Sequence, residues 1–233
     1  MKKIGMVVAV EMKAVAAKYG DRCETLSHRG FEVRKCTDET YELYILHSGA
    51  GQIAAAAGTQ FLIDHFDVDL VVNFGVVGAL VPGLKKGELC VVDRVVHYDF
   101  DTSAVDHCEV GRYMHYPSRF METDAALRRR TSELFPQYRH VTCASGDKFF
   151  DTAEQKRTLH QAFDAEICEM EAAAILMTCD RSGIPSLMVK IVSDSIDGGA
   201  EEYHLEMETV SQQCLEIVDQ LIAEIGGRSK SAK

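Results

Sequence analysis

Residues 41–74, YELYILHSGAGQIAAAAGTQFLIDHFDVDLVVNF, carry the pattern that decides the fold. Tyr41 to His47 is short and apolar, as a buried strand is. Ser48-Gly49-Ala50-Gly51 interrupts it. Gln52 to His65 then runs at helical length, and Val68 to Phe74 reads as a second buried strand. Strand, glycine turn, helix and strand make one crossover unit, which sets its two strands parallel.

The same alternation continues on either side. Toward the N-terminus, Ile4 to Ala9 reads as a strand and Glu11 to Tyr19 as a helix closed by Gly20. Residues 22–36 form a strand pair turning at Arg29-Gly30. Toward the C-terminus, Asn73-Phe74 runs into a Gly75-Val76-Val77-Gly78 turn, and Leu89 to Val96 is a strand. Residues 98–122 are irregular, and so long a loop in a compact domain is often functional. Thr123 to Leu134 is a helix with Thr123 as its N-cap, His140 to Ser145 a strand, and Asp151 to Phe163 a helix. A helix begins at Glu171, ends near Cys179 and is stopped by Gly183-Ile184-Pro185. Leu187 to Val192 is the last strand. Tyr203 to Ile225 is the last helix, with a stripe of Val210, Cys214, Val218, Leu221 and Ile225. Alternating strands and helices predict an α/β fold. A single domain is expected over 1–226, with 227–233 as a polar tail.

Net charge is -11, which argues against nucleic acid or an anionic membrane as partner. No apolar run reaches the roughly 18 residues of a membrane span. The apolar start, Ile4 to Val10, stops at Glu11 without a small-residue cleavage site, so a cytoplasmic protein is expected. The eight cysteines contain no C-x-x-C pair and read as buried free thiols rather than a disulfide framework. His97, His107 and His115 lie near Cys108 at no familiar ligand spacing, so no metal is expected.

In such sheets ligands bind beyond the carboxyl ends of the strands. Glu11, Ser48-Gly49-Ala50-Gly51, Gly75-Val76-Val77-Gly78, Ser145-Gly146-Asp147 and Ser193-Asp194 each follow a strand. They are expected to meet, with Phe149, at one crevice. Gly49-Ala50-Gly51 lacks the third glycine of a dinucleotide fingerprint and does not follow the first strand. Glu169-Met170-Glu171 places two carboxylates at a helix start. The helix dipole favours acids there, so capping charges and a pocket both fit. With Ser193-Asp194 downstream, Glu171 and Asp194 are expected to face one pocket.

Taken in order, Ile4-Gly5 to Glu11, Ser48-Gly49-Ala50-Gly51, Asn73-Phe74-Gly75-Val76-Val77-Gly78, Ser145-Gly146-Asp147-Lys148-Phe149, Glu169-Met170-Glu171-Ala172 and Val192-Ser193-Asp194 resemble the motifs of the nucleoside phosphorylase/nucleosidase superfamily. The resemblance covers about residues 4–222 and is greatest to the 5'-methylthioadenosine/S-adenosylhomocysteine nucleosidases. It implies a three-layer α/β/α sandwich around a central twisted mixed sheet. It also implies cleavage of the N-ribosidic bond of a purine nucleoside, with adenine as the base and no cofactor. Asp194 matches the general acid that protonates the leaving purine, and Glu171 the acceptor of the 2'- and 3'-hydroxyls. Met170 matches a ribose-lining residue, Phe149 the ring stacked on the base, and the Phe150 backbone the reader of the adenine edge. Glu169 is either a second sugar contact or a structural acid. Ser193, Ala50 and Val76 fall on the same substrate-binding segments. A homodimer or higher homo-oligomer is implied, with the 98–117 loop as the segment that reaches a neighbouring site.

The resemblance breaks on the nucleophile's side. The hydrolases carry a water-activating glutamate where this chain has Lys13. Glu11 is close in sequence, but residues two apart on a helix point nearly opposite ways, so it is not expected to substitute. A serine that helps hold the nucleophile is Val76 here. The phosphorolytic branch binds phosphate with an arginine at the Lys13 position and another from a neighbouring subunit, in an Arg-Gly turn that Arg29-Gly30 resembles. Its third arginine aligns with Asn73. Hydrolysis, phosphorolysis through Lys13 and Arg29, and nucleoside binding without turnover therefore stay open. Val10, Ala50, Thr102, Val105 and Tyr203 or His204 match the 5' end of the ligand, a mixed lining that does not fix the 5' substituent.

Overall fold

A computed structural model of the chain describes residues 1–227. The elements are β1 (Lys2–Val8), α1 (Met12–Tyr19), β2 (Cys23–His28), β3 (Phe31–Thr37), β4 (Tyr41–His47), α2 (Gln52–Phe66), β5 (Leu70–Ala79), β6 (Leu89–His97) and α3 (Ser103–Asp106). They continue with β7 (Phe120–Glu122), α4 (Ala125–Leu134), β8 (Arg139–Ser145), α5 (Ala153–Phe163), β9 (Ile167–Glu169), α6 (Ala172–Ser182), β10 (Ser186–Asp194) and α7 (Ala200–Gly227). Gly227 lies within α7, and the rest of the expected tail lies outside the described residues.

The strands form one mixed sheet. β1 is central, parallel to both β4 and β5, and β5 is parallel to β10. β10 also pairs antiparallel with β6, β6 parallel with β8, β8 parallel with β9, and β9 antiparallel with β5. That half of the sheet therefore closes on itself, while β4, β3 and β2 extend the other half to an open edge. Helices cover both faces. α2 and α6 pack on one side through Ala55, Leu62, Ile175 and Leu176. α1 and α7 pack on the other through Val15, Tyr19, Val210, Cys214, Leu215, Val218, Leu221 and Ile222. Each fully buried Val, Leu or Ile on the α7 stripe contributes about 1.5–3 kcal/mol, which fixes the helix that follows Asp194.

Several boundaries differ from the sequence expectation. The expected turn at residues 75–78 is a continuation of β5. Its glycines serve close approach rather than reversal. A Cβ on Gly75 would stand 2.6 Å from Glu11 Oε1, and one on Gly78 would stand 3.1 Å from Asp194 Oδ2. Thr123 is not the cap of α4; its hydroxyl donates to the Val92 and Asp93 carbonyls, and Asp124 caps the helix by accepting from the Leu127 amide. The short strand β9 was not foreseen. Cys23 and Cys36 are not free thiols. They face each other directly across β2 and β3 and are joined as a disulfide. Opposed residues on antiparallel strands are close enough for such a bond, but the strand register that opposes them cannot be read from their spacing. The other six cysteines are free.

Candidate active site

The carboxyl ends of β1, β5, β9 and β10 meet at a cavity lined by Val10, Glu11, Ala50, Val76, Val77, Gly78, Phe149, Glu169, Met170, Glu171, Ser193, Asp194 and Tyr203. An adjoining hollow continues past Gly78, Phe149 and Asp194 to Lys148, Phe150 and Cys168. Most of the residues expected at the site from sequence are thus brought to one place, including Glu171 and Asp194 on facing segments.

The Glu169-Met170-Glu171 turn is positioned from the α6 N-terminus. A helix leaves its first amides without intrahelical partners. Here the amides of Glu171 and Ala172 donate to the Glu169 carboxylate, that of Ala173 to Ser145 Oγ, and that of Ala174 to Gln52 Oε1. Gln52 Nε2 in turn donates to Ser145 Oγ at 2.8 Å. Glu169 also accepts from the buried Lys190 ammonium at 3.1 Å. Glu169 therefore spends both oxygens on backbone and lysine, the geometry of a structural acid. Burial pulls the Lys190 pKa down, but the charges of Glu169 and Glu171 outweigh that and raise it.

Glu171 is freed from capping and turned into the cavity, where Oε1 accepts from the Gly51 amide at 2.8 Å. Gly51 has φ +100, a conformation that side chains disfavour. Burial, then the neighbouring Glu169, pushes the Glu171 carboxyl up to about 7, against the pull of Lys190 and Gly51.

Asp194 ends β10 and is 1% exposed. Its Oδ1 lies 2.8 Å from the Ser193 hydroxyl, and its Oδ2 accepts from the Lys156 ammonium at 2.5 Å. Burial raises its pKa, and the hydrogen bond and charge of Lys156 oppose the rise without cancelling it.

The nucleophile's side corrects the sequence expectation. Lys13 points away from the cavity: its side chain is 78% exposed and pairs with Glu208 at 3.2 Å. Glu11 is the acid that faces in. It precedes α1 with φ -86 and ψ 19, outside the helical geometry assumed for it. Glu11 is 4% exposed, and its carboxylate accepts from the Val10 amide on Oε2 and the Val76 amide on Oε1, each at 3.0 Å. Glu11 and Lys13 do diverge, as helical spacing required, but it is Glu11 that lines the cavity. Arg29 is exposed in the β2–β3 turn, with φ +47, and does not line the cavity.

At the cavity mouth Phe149 is 42% exposed and meets Tyr203 edge-on, with ring centroids 5.5 Å apart. Of the residues expected near a 5' substituent, Val10, Ala50 and Tyr203 line the cavity, whereas Thr102, Val105 and His204 do not.

The phosphorylase superfamily model matches residues 3–223. A 5'-methylthioadenosine/S-adenosylhomocysteine nucleosidase of Geobacillus kaustophilus is 31% identical over 93% of this chain and 94% of its own. The enzyme of the same name from Staphylococcus aureus is 33% identical over 79% and 82%. The chain belongs to the phosphorylase superfamily, alongside these nucleosidases. Among superfamily members of known structure, the Helicobacter pylori 5'-methylthioadenosine/S-adenosylhomocysteine nucleosidase bound to butyl-thio-DADMe-Immucillin-A superposes with a TM-score of 0.90 at 26% identity. It spans 96% of this chain and 99% of that one. Futalosine hydrolase of Helicobacter pylori superposes with a TM-score of 0.89 at 27% identity, over 96% and 98%. The α/β superfamily fold, with its mixed sheet between helices, is that expected from the sequence.

Two buried residues at the site were not anticipated, though each left a trace. Lys190 is a lone charge in the apolar run Leu187 to Val192. Lys156 shares a helical stripe with Leu159 and Phe163, all three buried. Lysines are almost never fully buried unless paired.

Proposed function

We propose that the protein hydrolyses the N-ribosidic bond of an adenine nucleoside such as 5'-methylthioadenosine or S-adenosylhomocysteine. The observation that carries this reading is that, of the four buried carboxylates around one apolar-walled cavity, three, Glu11, Glu171 and Asp194, are not spent on capping α6. Breaking the bond leaves positive charge on the sugar and negative charge on the base. Asp194, whose pKa burial raises, serves as the acid that donates to N7 of the purine as the C1'–N9 electron pair moves onto the ring. Glu171 as carboxylate accepts from the ribose hydroxyls, next to Met170. Glu11, its oxygens each fixed by one amide, keeps lone pairs to orient a water and take its proton as C1' is attacked. Phe149 covers the base, and the hollow at Phe150 receives its edge.

Hydrolysis is favoured over phosphorolysis because the inward group at the nucleophile's position is an anion, which repels phosphate. Incubating the protein with methylthioadenosine, S-adenosylhomocysteine and adenosine, each with and without phosphate, tests this. Adenine and free sugar at equal rates in both buffers are expected. Release that requires phosphate would replace hydrolysis with phosphorolysis, and binding without release would make the protein a nucleoside binder.

A homo-oligomer also belongs to this reading. Ile53, Val105 and Met114 are 85%, 80% and 59% exposed, apolar surface that a second copy would cover. Sedimentation equilibrium of the full chain is expected to give at least twice the monomer mass; a monomer at micromolar concentration would refute it.

A further inference from the structure

Lys156 has no part in the chemistry described so far, yet its side chain is fully buried. An ammonium has three protons to donate, and all three are used. They go to Asp194 Oδ2 at 2.5 Å, the Ser195 carbonyl at 2.6 Å and the Gly198 carbonyl at 2.8 Å. Burying a cation is costly unless its partners are complete, and an apolar residue here would continue the stripe of Leu159 and Phe163. The charge at this position therefore asks for a role.

We propose that Lys156 is a positioning residue for the leaving-group acid: it fixes Asp194 Oδ2 and stays paired with the carboxylate that remains once the proton has gone to the purine. This rests on the hydrolytic reading above. With Oδ2 held by the ammonium, the acid's proton belongs on Oδ1. The Ser193 hydroxyl near Oδ1 then has a second acceptor, the Val77 carbonyl at 3.2 Å, so it can turn aside while Oδ1–H points to the base. On transfer the Oδ1–H bond breaks and N7–H forms. The Ser193 hydroxyl turns back to Oδ1, and the new negative charge lies against Lys156. A lysine placed only to tie Ser195 and Gly198 to α5 would need no carboxylate oxygen among its three acceptors.

The test is the pH profile of kcat/KM for adenine release by wild-type, K156M and K156R. Its alkaline limb reports loss of the acid's proton. Removing the cation makes Asp194 a weaker acid, so in K156M the plateau falls about 10- to 100-fold and the limb moves up by about one pH unit or more. K156R, which keeps the charge, returns the limb to its wild-type place. A K156M protein with lower activity but an unmoved limb, or a limb moved down, overturns the proposal. If K156M does not fold, K156Q carries the same comparison, since its amide can still donate to both carbonyls. If neither folds, the 15N shift of the Lys156 ammonium in wild-type protein decides. It should titrate with the alkaline limb and lose that step in D194N; a flat shift overturns the proposal. A wild-type protein that releases no adenine refutes the hydrolytic reading itself, which these outcomes keep distinct.

Discussion

The two walls of the cavity hold their carboxylates by different means. On the leaving-group wall, Asp194 is carried by the end of a fully buried strand and gripped by side chains, Ser193 on one oxygen and Lys156 on the other. On the wall proposed for the nucleophile, Glu11 sits in the connection between β1 and α1 and is gripped by main chain, the amides of Val10 and Val76. A grip by side chains ties function to residue identity. A grip by amides ties it to backbone path, so the side chain can lie one helical step away from where a motif places it. That is why the sequence made the leaving-group wall look intact and the nucleophile wall look lost. The contact from position 76 to Glu11 is made by the amide, so it does not depend on the side chain there.

The largest effect should come from Asp194→Asn. It removes the acid's proton while keeping shape, and adenine release should fall by about 10²–10⁴-fold with the methylthioadenosine Kd little changed. Glu11→Gln is expected to lower kcat by about 10²–10⁴-fold, while Lys13→Ala stays within about twofold, as expected of an exposed ion pair. Reversed results for those two would restore Lys13 as the functional group and undo the contrast between the walls.

Glu171 gives an effect of the next size, and it depends on pH. Burial and the neighbouring Glu169 push its carboxyl up to about 7, and protonation removes the acceptor proposed for the ribose hydroxyls. Nucleoside affinity should therefore weaken as pH falls through about 7, and a calorimetric Kd profile should lose that step in Glu171→Gln. The same shift has a stability consequence of opposite sign. A carboxyl whose folded pKa is raised costs stability as pH rises from its unfolded value toward the folded one. Glu171→Gln should thus be more stable than wild-type at pH 8 by on the order of 1–3 kcal/mol, with the gain absent at pH 4. A Tm difference independent of pH would refute it. Gly75→Ala should have the smallest effect among the substitutions at the cavity: its Cβ meets Glu11 Oε1, and kcat should fall about tenfold by misplacement while the Tm changes little.

Much of the fold was legible because burial writes itself into periodicity. Tyr41–His47 and Gln52–Phe66 fall within a residue of the expected bounds. What was missed depends on contacts between segments distant in sequence. β5 continues through Gly75 and Gly78 because it pairs there with β10 and β9, and the glycines leave room for the Glu11 and Asp194 carboxylates. The Cys23–Cys36 bond depends on strand register. For the site, the cap-or-pocket ambiguity of Glu169 and Glu171 had a divided answer: Glu169 caps, and Glu171 faces the cavity. Glu11 was misjudged for a physical reason. Glu11 and Lys13 diverge as their spacing requires, but which of them faces the cavity is set by the Val10 and Val76 amides that hold the Glu11 carboxylate, and the Val76 contact is long-range.

The most direct measurement is adenine release from methylthioadenosine in phosphate-free buffer by wild-type, Glu11→Gln and Lys13→Ala, with phosphate then added to each. Turnover by wild-type and Lys13→Ala at equal rates, a rate at least 100-fold lower for Glu11→Gln, and no response to phosphate are expected. Turnover that needs phosphate and fails in Lys13→Ala would contradict the assignment of Glu11 to the nucleophile wall.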